Sequence, residues 1–65
     1  MITKEEFENM NAFKKGYVVY RFGHEESEPN VPSTYTPNPE DKEGYDNGQN
    51  MALVDVRAEY QGQSE

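Results

Sequence analysis

The chain has 65 residues, 32% of them hydrophobic, no cysteine and a formal net charge of −7. A chain this short buries only about 60% of the surface its unfolded form exposes, which leaves one small core and excludes a deep substrate cleft. Without cysteine there are no disulfides, thiolate metal sites or cysteine nucleophiles. The charge is uneven, with a net of +1 over residues 1–23 and −8 over residues 24–65. Nucleic-acid phosphates would repel the acidic part, which makes direct nucleic-acid binding an unfavourable expectation. A basic protein surface suits it better, and solubility alone is the competing account of the same acidity.

Thr3 as N-cap, Glu6 three residues later, and Ile2 with Phe7 as a hydrophobic staple predict a helix start. Phe7, Met10, Phe13, Tyr17 and Tyr20 follow at spacings of three and four, which predicts one apolar stripe on a helix reaching Arg21 or Phe22. Gly23 is then placed at its C-terminal cap. The run Tyr17-Val18-Val19-Tyr20-Arg21-Phe22 also suits a strand, paired with residues 52–60 across a turn at Asp46-Asn47-Gly48. Residues 24–38 lack helical or strand period and are rich in proline, serine and acid, so they read as a long connection from which Tyr35 packs back onto the helices.

Asn38 as N-cap, Pro39 at the first helical position and Glu40, Asp41 and Glu43 in the first turn predict a second helix. Tyr45, Ala52, Leu53, Val56 and Tyr60, with Gln49, share its apolar face, and Gly44, Gly48 and Ala52 form a small-residue ridge for a close helix contact. The expected fold is therefore all-α, a two-helix hairpin with a long Pro-rich connection, in a single small domain over residues 1–60 with a frayed tail at 61–65. A small α+β fold with strands near 17–22 and 52–60 is the alternative. No apolar run approaches the roughly 20 residues that span a bilayer. Lys4 followed by Glu5, Glu6 and Glu8 is unlike a signal peptide. A cytoplasmic protein without membrane contact is the expectation.

Catalysis needs a nucleophile, an acid–base pair or a metal held by a rigid surround, and little of this is present. His24 with Glu25, Glu26 and Glu28 is better read as a solvated acidic loop than as a metal cluster, because zinc ligands sit at fixed spacings on ordered elements. No enzyme activity, metal or cofactor is expected. Lys14, Lys15 and Arg21 with Tyr17 interleaved have one signature of RNA contact, although three charges are weak evidence and a solvated helix face is the better account of them. The carboxylates Glu25, Glu26, Glu28, Glu40, Asp41, Glu43 and Asp46, with Tyr35 and Tyr45 as aromatic anchors, form the candidate partner-binding set.

Two blocks repeat a pattern of small and aromatic residues: Ala12-x-x-x-Gly16-Tyr17-x-x-Tyr20-x-x-Gly23 and Tyr45-x-x-Gly48-x-x-x-Ala52. Over about 40 residues they resemble the ribosome modulation factor family, including its short phage and plasmid relatives. Tyr20 stands where that family has a middle glycine, Gln49 replaces a second tryptophan, and Pro32-Ser33-Thr34-Tyr35 loosely echoes a Pro-Tyr pair. The resemblance implies a compact two-helix fold with aromatics closing over the glycines, and binding to the ribosome. The acidic second half departs from the basic character of that family's best-known members. The leading expectation is a non-catalytic phage or mobile-element protein that inhibits a host nucleic-acid-binding protein by occupying its basic surface. A ribosome-associated modulation or hibernation factor is the second, with direct contact through Lys14, Lys15, Tyr17 and Arg21. The third is an adaptor that folds fully on a partner or as a dimer.

Overall fold

The capping chemistry at the N-terminus forms as predicted: Glu6 N–H donates to the Thr3 hydroxyl at 3.0 Å, and Thr3 N–H donates to the Glu6 carboxylate at 2.9 Å. Those bonds hold the Glu6 carboxyl below its ordinary value, the backbone bond at Thr3 being the largest cause. The helix they start, α1, spans only Lys4–Glu8. A computed structural model of the chain describes residues 1–63, and places after it α2 over Ala12–Phe22, a 3-10 turn over Pro39–Asp41, and α3 over Lys42–Gln63.

Three helices thus replace the expected two. The long first helix is interrupted because Asn11 takes an extended conformation (φ −72°, ψ 172°) and its side chain accepts the Lys14 N–H at 2.8 Å. Asparagine competes for backbone groups inside a helix and is among the best residues at its start. The restart shifts the phase of the apolar stripe. Val18 and Val19 are buried, whereas Phe13 and Tyr20 from the predicted stripe are each 42% exposed. Residues 17–22 and 52–60 are helical and no strand occurs among the described residues, which overturns the α+β alternative.

α2 and α3 run parallel, so they are not a hairpin. Contacts across the pair advance together along both chains: Ala12 lies at Gly44, the Phe13 carbonyl at Gly48, the Tyr17 hydroxyl on Asp55 and Arg21 on Glu59. An antiparallel pair of helices needs a loop of only about 2–5 residues. Here the chain must return along the length of α2, about 16 Å for eleven residues, and residues 23–38 make that return. The connection folds back in a series of turns, with Glu28 accepting the Ile2 N–H at 2.7 Å and Asn30 donating to the Ile2 carbonyl at 3.1 Å.

The core lies between α1, α2, the connection and the start of α3: Phe7, Val18, Val19, Val31 and Tyr45, with Ile2, Met10 and Phe22 packed at its edge. Tyr35 does pack back as expected, edge-on to Phe7 and tilted against Tyr45, with ring centroids 5.6 Å apart in both cases. The small-residue ridge seats α3 on α2. A side-chain carbon on Gly48 would overlap the Phe13 carbonyl, and one on Gly16 would overlap the carbonyl of Tyr45. Gly23 caps α2 with φ −64°, so it is required by proximity and not by a left-handed backbone: an added carbon would lie 2.7 Å from the Pro32 carbonyl oxygen.

At the start of the second helical segment Asn38 stands at the N-cap and Pro39 at the first position as expected, but Asn38 makes no side-chain cap bond and the turn they open is a 3-10 turn that leads into α3. At the other end α3 continues to Gln63 where fraying was expected, and the rest of the predicted tail, 64–65, lies outside the described residues. Val56 and Tyr60 are 38% and 73% exposed, so the buried face of α3 is centred on Tyr45, Gly48 and Ala52.

Candidate functional site

The carboxylates proposed as one surface fall into two groups. Glu25 and Glu26 follow the C-terminal end of α2, while Glu40, Asp41, Glu43 and Asp46 sit where α3 begins. Because the two helices are parallel, these groups lie at opposite ends of α2, about 16 Å apart along its axis. Glu28 is half-buried and holds the N-terminal segment through Ile2. Asp46 is half-buried and ion-paired with Lys42 at 2.8 Å.

Glu40, Asp41 and Glu43 are exposed, and among the described residues none of the three has an ion-pair partner. They flank the positive end of α3, beside the positive end of the parallel α2, and both dipoles favour negative charge there. The same end carries a shallow cleft of about 250 Å³ lined by Met10, Asn11, Lys15, Tyr35, Asp41 and Tyr45, among others. Tyr45 itself is only 4% exposed, which removes it as an aromatic anchor for a partner. Burial raises its pKa, and Gln49 donates to its hydroxyl at 3.3 Å. Tyr35, 37% exposed, remains accessible at the rim.

No family model, curated protein or solved structure matches this chain.

The basic residues singled out for RNA contact are largely engaged within the chain. Tyr17 donates its hydroxyl to Asp55 at 2.7 Å and accepts from Arg21 at 2.7 Å, while Arg21 bridges to Glu59 and lies 4.0 Å from Asp55. These four side chains lock the C-terminal half of α2 onto α3. Lys15 places its ammonium 5.7 Å from the Phe7 ring centre and 5.6 Å from that of Tyr35, a cation–π arrangement. Of Lys14, Lys15, Tyr17 and Arg21, only Lys14 is exposed on α2 and outside these contacts. Sequence spacing shows Tyr17 and Arg21 as helical neighbours. Their acidic partners, 38 residues further on, became visible only with the helix register.

The hydrogen bond to Asp55 is the largest cause raising the Tyr17 pKa above 10.0, with burial second. A folded-state pKa above the unfolded one gives stability that is fully present below pH 10 and is lost as pH rises through the folded value. In an NMR titration of the tyrosine rings, Tyr17 is expected to ionise above pH 10, and Asp55→Ala is expected to lower its midpoint. A wild-type midpoint at or below 10 would show that the Tyr17–Asp55 contact does not persist in solution.

Among the described residues no three acidic or histidine side chains converge as metal ligands, and no helix is long and apolar enough to cross a membrane. His24, Glu25 and Glu26 are exposed along a turn, and Glu28 is turned to Ile2.

Proposed function

We propose that the chain is a non-catalytic binding protein that occupies the basic surface of a nucleic-acid-binding protein, and that Glu40, Asp41 and Glu43 at the start of α3 make the contact. One observation carries this reading: these carboxylates are exposed and unopposed, whereas Arg21 and Lys42 are spent on intrachain pairs. Opposite charges steer association and speed it, and salt weakens it. Tyr35 at the rim adds apolar area beside the charge. In a phage or mobile-element setting the effect would be inhibition of a host protein, by competition for the groove that holds its nucleic acid. The acids at Glu25 and Glu26 belong to the far end of α2 and have no part in this contact.

The test is affinity capture from a bacterial lysate at low and high salt, with bound proteins and RNA identified. Recovery of a nucleic-acid-binding protein without RNA, lost at high salt, is expected. Glu40→Gln, Asp41→Asn and Glu43→Gln combined should weaken that binding by about tenfold or more, with the helical content of the chain retained. Recovery of ribosomal subunits with their RNA, weakened instead by Lys14→Glu, would overturn the proposal in favour of a ribosome-associated factor.

A further inference from the structure

The ridge that could have joined two chains is consumed inside one: Gly48 lies against the α2 backbone and Ala52 is buried. The opposite side of α3 carries a second pattern. Asn47, Met51, Val54 and Ala58 recur at spacings of four, three and four, the seven-residue rhythm of helices that pair with one another. Val54 is turned about 160° from Ala52 around the helix axis. Ala52 is fully buried, whereas Val54 is 58% exposed and Met51 46% exposed. Ala58 is exposed as well. Two sizeable apolar side chains therefore stand in water on the face of α3 that α2 leaves uncovered.

Charge decides what fits there. Residues 47–54 contain no charged side chain, and Asp55 and Arg57 cancel through Ala58, in a chain of net −7. Asp55 is also engaged by Tyr17. A basic partner finds no carboxylate to pair with on this face. A second copy of the chain finds a neutral apolar surface like its own, provided the two acidic ends are kept apart.

We infer that Met51, Val54 and Ala58 form a two-fold, antiparallel α3–α3 interface between two copies of this chain. Closed two-fold pairs are the commonest soluble assembly. Setting Met51 of each copy against Val54 of the other puts the axis beside Ala52 and Leu53. Glu43 of one copy then lies roughly 28 Å along the axis from Glu43 of the other, from the helical rise of 1.5 Å per residue. That is well beyond the screening length of about 8 Å at physiological salt. A parallel pair would instead set Glu40, Asp41 and Glu43 of the two copies side by side. The antiparallel pair also leaves both acidic ends exposed, so it does not depend on the function proposed above.

The interface is short and falls in the weak class, below about 1,200 Å² of buried surface. In sedimentation equilibrium from about 10 to about 500 µM, the range suited to such weak pairs, the mass is expected to rise from the 7.5 kDa monomer toward twice that value. Higher salt should leave this association intact or strengthen it, because it only screens residual repulsion. Val54→Glu and, independently, Met51→Glu should weaken it about tenfold or more by placing a charge in an apolar contact. Both positions are exposed in the monomer, so the helical circular dichroism should be retained. A monomer mass across the whole range, or a dimer that both substitutions leave intact, would overturn the inference. Capture of a basic partner that survives Val54→Glu would leave the proposed function standing whatever the dimer result.

Discussion

Gly48→Ala is expected to remove most of the stability of the fold, while the same substitution at Gly62 leaves it nearly unchanged. A β-carbon on Gly48 overlaps the Phe13 carbonyl oxygen and lies 2.8 Å from its carbon and 3.0 Å from the Tyr17 nitrogen. All three are backbone atoms of α2, so no rotamer change relieves the overlap. The helices must separate, and the contact they lose includes Gly16, whose own added carbon would meet the Tyr45 carbonyl carbon at 2.9 Å. Overpacking in a tight core costs about 1–3 kcal/mol or more, and a single core of this size supplies only about 3–5 kcal/mol of stability. Helix propensity works the other way, since alanine is favoured over glycine by about 1 kcal/mol in a helix interior. Gly62 meets nothing within 4 Å and lies in the last turn of α3, where the interior preference for alanine is largely lost, so little change is expected there. Gly44 is the intermediate case, its added carbon lying 3.4 Å from the Ala12 side chain, an ordinary contact. Thermal melts of the three alanine variants should therefore rank Gly62 and Gly44 at or above wild type and Gly48 far below. A Gly48→Ala protein that melts like wild type would contradict the parallel α2–α3 contact.

The glycines were legible from sequence because their cost in a helix requires a reason, and backbone proximity is the common one. The capping box at Thr3 and Glu6 was legible for a similar reason, since both halves of the motif lie within four residues. The break at Asn11 was obscured by Phe7, Met10 and Phe13, whose spacing fits a continuous helix. The cap signal at Asn11 is present in the sequence, but it competes with that stripe. Helix direction is invisible to periodicity, which reads a face and not an orientation. The length of residues 23–38 was the one available signal, because antiparallel neighbours rarely need so long a loop. Among the candidate site residues, Glu40, Asp41 and Glu43 stayed exposed together because they lie within four positions of one another. Glu25 and Glu26 were separated from them by a topology that composition does not encode.

Tyr45→Ala is expected to unfold most of the chain, and any loss of partner binding by that variant should follow the loss of fold. Tyr45 is 4% exposed, shares the core with Phe7, Val18, Val19 and Val31, and carries the carbonyl against which Gly16 packs. Truncating a buried large aromatic costs about 3–5 kcal/mol, which is comparable to the whole stability of a domain this small. Tyr35→Ala removes two ring contacts worth about 0.5–1.5 kcal/mol each, and the side chain is already 37% exposed. It should lower the melting temperature and leave a folded protein. Tyr45→Phe keeps the ring and loses one long hydrogen bond from Gln49, at 3.3 Å, a cost of about 1 kcal/mol or less. The order Tyr45→Ala, then Tyr35→Ala, then Tyr45→Phe in a denaturation series separates a core role from an interface role. Binding measured on folded Tyr35→Ala reports on the acidic end of the molecule, because that ring borders Asp41 across the cleft. A well-folded Tyr45→Ala protein with selectively lost binding would return Tyr45 to the interface and move the centre of the core away from the start of α3.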